Sequence, residues 1–173
     1  TPRNDYRFNC RDARQDPSDD HDLDYKVVKE TWVENVYHIT ADDFWDSGVF
    51  IDIGANIGAV SLYVDSLNHD RDEDKPVIKS YAIEPEPHNL KFLEKNVKDN
   101  PTTEHLTVVP NAVWHTEGTM QISNRGGNAS VFKHPKNGGY SPVEAITLEQ
   151  VFARFEITEA DVVKIDIEGA EYD

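Results

Sequence analysis

Val49-Phe-Ile-Asp-Ile53 is a compact apolar run that stops at Gly54, and a helical pattern opens once Gly58 has passed. The loop between them, Gly54-Ala-Asn-Ile-Gly58, is the most constraining feature of the chain. A strand that becomes a helix through a glycine-bounded turn is the opening unit of a sheet with crossover helices. The pattern then repeats. Val60, Tyr63, Val64 and Leu67 recur at helical spacing between Ile57 and Leu67, and Ser80-Tyr-Ala-Ile83 is a second strand. Pro87 suits the first turn of the next helix, where its missing N–H costs nothing. Leu90, Leu93 and Val97 form the inner stripe of that helix, and Leu106-Thr-Val-Val109 is a third strand. Thr119–Ser123 and Val143–Ile146 read as shorter β segments around a glycine-rich stretch from Asn124 to Gly139. Thr147-Leu-Glu-Gln150 is a capping box, with Leu148, Val151, Phe152 and Phe155 as the stripe behind it. Asp161-Val-Val-Lys-Ile-Asp-Ile167 is a last buried-type strand. The expected fold class is α/β, with a parallel sheet.

The segments before this core differ. Residues 1–24 are polar and charge-rich and read as an N-terminal arm with little core of its own. Residues 25–47 read as a β/helix lead-in: Tyr25-Lys-Val-Val, Thr31-Trp-Val and Val36-Tyr-His-Ile resemble short β runs, and Thr40-Ala-Asp-Asp43 resembles a helix start. The core spans 48–173, interrupted by a charged, exposed insertion between Asn68 and Lys79. With 33 acidic against 17 basic residues, the net charge of −16 disfavours nucleic acid and anionic membrane as partners, because both are gripped by Lys and Arg. The single cysteine, Cys10, offers neither an internal disulfide nor a CxxC site. No apolar run is long enough to span a membrane and no signal-type segment opens the chain, so a soluble cytoplasmic protein is expected.

The glycine loop narrows the ligand. A dinucleotide site wants glycine where this chain has Asn56, and Asp52, two residues before the first glycine, would repel a pyrophosphate. The same carboxylate would help a cationic ligand. S-adenosylmethionine carries an ammonium, a sulfonium and no phosphate, so the loop favours that cofactor. A tight turn without a ligand is the plainer alternative. Glu84 ends the second strand, where a carboxylate can accept ribose hydroxyls, and Asn111 follows the third, either as a turn residue or at the adenine edge.

The strings VFIDIGANIGAVSLY, YAIEPEPHNLKFLEKNV, VVPNAVW, ITLEQVF and VVKIDIEGAEYD, taken together from about Val36 to Asp173, resemble the FkbM-type S-adenosylmethionine-dependent methyltransferases. The resemblance implies a class I, Rossmann-like fold and O-methylation of a hydroxyl on a sugar, a polyketide or a related small molecule. It also implies that Asp52, Gly54, Asn56 and Gly58 line the methionine end of the cofactor and that Glu84 holds its ribose. Trp114 stands where the family usually has a small residue, and either covers the adenine or packs.

Asp166, Glu168 and Glu171 surround the end of the last strand. Ligands of such sheets lie beyond the carboxyl ends of the strands. One of these acids can therefore remove the acceptor's proton, or the group can hold Mg²⁺ or a similar cation. A helix start with acids at its positive end is the structural alternative. Asp166 is expected on the cofactor or a metal, and Glu168 is the catalytic candidate on the acceptor side. The strand is not followed by the Asn/Asp-Pro-Pro-aromatic signature of base and glutamine methyltransferases, which weighs against N-methylation. Two rival functions remain: a non-catalytic cofactor-binding module of this fold, and a dinucleotide-dependent enzyme. The implied class carries more strands than are found before Asp173. The C-terminal strands are therefore expected to be missing, and they would cover the last strand; if the protein does end at Asp173, that edge is expected to pair with a second chain.

Overall fold

The computed structural model describes residues 5–11, 21–72, 74–100, 103–123 and 139–167. The strands are β1 (Val49–Ile53), β2 (Lys79–Ile83), β3 (Leu106–Val109), β4 (Ala112–Val113), β5 (Gly118–Ser123), β6 (Tyr140–Ile146) and β7 (Val162–Ile165). The α-helices are α1 (His21–Lys29), α2 (Ala59–Ser66), α3 (Pro87–Asp99) and α4 (Leu148–Arg154). Unbroken apolar runs belong in strands covered on both faces, and β1 is buried at all five positions. It pairs in parallel with β2 on one side and β7 on the other, giving the order β3-β2-β1-β7. This is the α/β, Rossmann-like arrangement expected from the strand–helix alternation. The smaller sheet, β4-β6-β5, contains an antiparallel β5–β6 pair, and Trp114 packs on its core of Ala112, Ile122, Val143 and Ala145.

Side chains alternate along the parallel strands to make two cores. Val49, Ile51, Ile53, Tyr81, Ile83 and Val109 face Val151 of α4, with Phe155 tilted onto Tyr81 at 4.8 Å between ring centroids. The capping box of α4 forms as expected: Thr147 N donates to Gln150 Oε1 at 2.9 Å, and Gln150 N to Thr147 Oγ1 at 3.2 Å. On the opposite face Phe50 meets Val60, Tyr63 and Val64 of α2, while Ala82 meets Leu62 and Leu93. All of α2 is buried, because Tyr6, Phe8 and Trp32 cover the side turned away from the sheet. A helix buried on every face needs such a second cover.

The β runs expected in the lead-in do not form, and residues 36–39 are a turn and irregular chain. The runs read as β from Tyr25 to Val33 form α1 and a π-helical turn, Glu30–Glu34. Asp24, Val27, Val28, Thr31, Trp32 and Asn35 turn inward at the i, i+3, i+4, i+7, i+8, i+11 spacing of a helix. The β-branched residues masked that period, as did the carboxylate at its first inward position. The described part of the arm docks against the core. Arg7 N donates to Asn100 Oδ1 at 2.7 Å and Asn9 N to Asn96 Oδ1 at 2.6 Å, which strings the arm along α3.

The last strand differs from a fully buried one too. Val163 and Ile165 are 40% and 51% exposed, because among the described residues β7 has a neighbour on one side only.

Candidate functional site

The hydrogen-bond ladder of the parallel sheet continues past the strand ends and fixes the residues that leave them. Gly54 N and Ala55 N both donate to Ile83 O, at 2.9 and 3.0 Å. Glu84 N donates to Val109 O at 3.1 Å, and Asp166 N to Ile53 O at 2.9 Å. Three acids are thereby held at neighbouring carboxyl ends: Asp52 on β1, Glu84 after β2 and Asp166 after β7. The glycines answer first to the chain's own packing. Gly54 has φ +81° and a Cβ there would lie 2.0 Å from Asp166 O; Gly58 has φ +87° and a Cβ would lie 2.5 Å from Leu93 Cδ1. Asn56 holds the left-handed conformation between them, with φ +51°.

Asp52 is completely buried, a position that costs several kcal/mol unless the charge is balanced. Register supplies the balance. Asp52 lies opposite Lys164 in the β1–β7 pair, and the ammonium sits 3.0 Å from Asp52 Oδ1. Ser61 Oγ donates to Oδ2 at 2.7 Å. Lys164 Nζ also donates to Gly54 O at 2.8 Å and stands 3.8 Å from Asp166 Oδ2. Burial pulls the Lys164 ammonium down, but the charges of Asp52 and Asp166 outweigh it and its pKa is raised. The half-exposed Tyr37 faces the same group: burial pushes its phenol up, with Lys164 opposing and Asp166 adding to the shift. Asp166 itself is open, with 57% of its side chain exposed.

Glu84 is buried, and among the described residues no cation stands against it. Asn56 N donates to Oε2 at 2.8 Å, and Oε1 accepts from Glu86 N at 2.9 Å and from Asn89 Nδ2 at 3.3 Å. Burial is the larger influence, opposed by those three donors and reinforced by the Glu86 charge, and it pushes the carboxyl up to about 7. A carboxylate has about four acceptor positions, so three internal donors leave one on Oε2.

Of the loop residues, Asn56 meets Glu84 through its backbone N–H, Gly54 abuts the Asp166 carbonyl, and Gly58 packs on Leu93 of α3. Asn111 is buried, its Nδ2 donating to Glu144 O at 3.3 Å and its Oδ1 accepting from Arg154 at 3.4 Å. Glu168, Glu171 and the stretch 124–138 lie outside the described residues. Among the described residues there is no group of three or more His, Cys, Asp or Glu able to hold a metal ion. No helix among them is long and apolar enough to cross a membrane.

Two site residues escaped the sequence reading. Lys164 was legible in principle: a lysine inside one apolar strand, matched to an aspartate inside another, signals a cross-strand ion pair. Arg11 was not, because nothing local ties it to a loop 45 residues later.

A family model described as the methyltransferase FkbM domain matches residues 52–173, about two thirds of the chain. No curated protein matches the chain significantly. Among solved structures, the methyltransferase FkbM from Methylobacillus flagellatus aligns at 18% identity over 84% of this chain and 31% of its own, with a TM-score of 0.46. A precorrin-6Y C5,15-methyltransferase from Geobacter metallireducens aligns at 21% identity over 51% of this chain and 37% of its own, with a TM-score of 0.31. The chain spans about a third of the length of these two proteins.

Proposed function

Because the chain belongs to the methyltransferase FkbM domain family, we propose that it transfers a methyl group from S-adenosylmethionine to a hydroxyl oxygen of a small molecule such as a sugar or polyketide. Residues 48–173 are the cofactor-binding core in this reading. The observation that carries it is Glu84, a buried carboxylate at a strand end with one acceptor position left after the three donors it has among the described residues. That remainder suits a ribose hydroxyl. Asp166, exposed at the next strand end but one, suits the ammonium of the cofactor's amino-acid end. Asp52 supports from behind: with Lys164 it holds the Gly54 carbonyl and the loop that Asn56 and Gly58 complete. Asn111 stays the candidate for the adenine edge.

When bound, the cofactor supplies an electrophilic methyl group on a positively charged sulfur. The chain's own residues hold the acceptor oxygen in line with that methyl and take up its proton. Glu168, two residues beyond Asp166, is the proposed proton acceptor. Isothermal titration with S-adenosylhomocysteine tests the cofactor assignment. The wild type is expected to bind, and Glu84→Gln to bind about tenfold more weakly or worse, a loss of about 1.4 kcal/mol. Equal affinity in the two proteins would remove Glu84 from the site.

A further inference from the structure

We propose that Arg11 is a positioning residue for the ribose end of the cofactor, making the N-terminal segment, which precedes the family-matched residues, a working part of the site. The inference rests on the cofactor reading of Glu84 given above. Arg11 is buried at the junction of four segments. Its Nε donates to both oxygens of the fully buried Asp24 at 3.0 Å, and one terminal nitrogen also meets Asp24. The other terminal nitrogen donates to Asn89 Oδ1 at 2.7 Å, and the one on Asp24 also donates to Asn56 Oδ1 at 3.3 Å.

Asn89 and Asn56 both act on Glu84. An amide carries its acceptor and its donors on opposite sides, so fixing Asn89 Oδ1 on Arg11 turns Nδ2 toward Glu84 Oε1. The reversed amide would set oxygen against carboxylate. Asn56 gives its backbone N–H to Glu84 Oε2 from a left-handed conformation, and Arg11 tethers that residue by its side chain. Arg11 thus stands one residue removed from each carboxylate oxygen. Asp24 balances its charge, and Glu86 is the charged neighbour that acts on Glu84 directly, so Arg11 works through orientation. Only a planar fork reaches Asp24, Asn89 and Asn56 together; a lysine ammonium on a single stem cannot.

Arg11→Lys keeps a cation for Asp24 and removes the fork. In titrations with S-adenosylhomocysteine and its 2′-deoxyribose analogue, this variant is expected to bind the former about tenfold more weakly and to lose most of the wild type's preference for the full ribose. The double variant Arg11→Lys/Glu84→Gln should bind within about twofold of Glu84→Gln alone, because both changes remove one interaction. Wild-type affinity in Arg11→Lys, an unchanged ribose preference, or losses that multiply in the double variant would each overturn the proposal. If Arg11→Lys does not fold, Asn89→Ala, which leaves the Arg11–Asp24 pair in place, carries the same cycle. Should Glu84→Gln bind as tightly as wild type, the cofactor reading falls and this inference with it. If Glu84→Gln weakens binding and Arg11→Lys does not, only the role of Arg11 is lost.

Discussion

Asp52 and Glu84 are buried acids at the ends of adjacent strands, yet the fold accommodates them in opposite ways. Asp52 has a cation brought to it by strand register, with Lys164 at 3.0 Å. Among the described residues Glu84 has none against it and accepts from two backbone N–H groups and one amide. An ion pair closes off Asp52, whereas burial pushes the Glu84 carboxyl up to about 7 against its three neutral donors, which among the described residues leave it acceptor capacity to spare. On this comparison β1–β7 is the fixed wall and β2 the responsive one.

The largest test strikes the ion pair. Lys164→Met should cost about 3–5 kcal/mol of unfolding free energy in urea, because it strands a buried charge. Adding Asp52→Asn should recover most of that loss. A cost below about 1 kcal/mol would mean that water already reaches Asp52, and the contrast with Glu84 would collapse. The next test titrates the responsive side. If ionised Glu84 accepts the ribose, affinity for S-adenosylhomocysteine should fall roughly tenfold as pH drops from 8 to 6, through the carboxyl's value of about 7. Glu84→Gln should flatten that profile; a flat profile in the wild type would show that the carboxyl does not meet the ligand.

The smallest test uses a third buried acid. Asp65 on α2 accepts one hydrogen bond, from Tyr6 Oη at 3.3 Å, and its Oδ1 has no hydrogen-bond donor among the described residues. Burial pushes it up to about 6, with the Tyr6 bond opposing and Glu104 adding. Its folded value lies above its unfolded one, so its burial carries no penalty below about pH 4 and the full penalty above about pH 6. Asp65→Asn should therefore stabilise by about 1 kcal/mol at pH 8 and leave stability at pH 4 unchanged, as read from urea midpoints. Equal effects at both values would show that the penalty is steric.

The sequence carried the sheet well because its signals are local. Val49–Ile53, Ser80–Ile83 and Leu106–Val109 are apolar runs bounded by turn residues, and Thr147-Leu-Glu-Gln150 is a cap whose partners lie three residues apart. Asp52, Glu84 and Asp166 were legible as strand-end acids for the same reason. What stayed hidden was non-local. The α1 stripe begins with Asp24, which reads as a surface acid until Arg11 is seen beside it. Whether Asp52 meets a ligand or a lysine depends on which residue of β7 lies opposite, and pairing register is not written in either strand alone.

The arm carries a consequence for how the protein comes to be. Arg7, Asn9 and Arg11 each reach a partner on or just beyond α3, between 78 and 93 positions along the chain. During synthesis they leave the ribosome well ahead of that helix and must wait for it. Contacts of such sequence separation form late and slowly. The α2 and α3 helices can close on the sheet while the Arg11 seat is still empty, so residues made ahead of the sheet are placed after it.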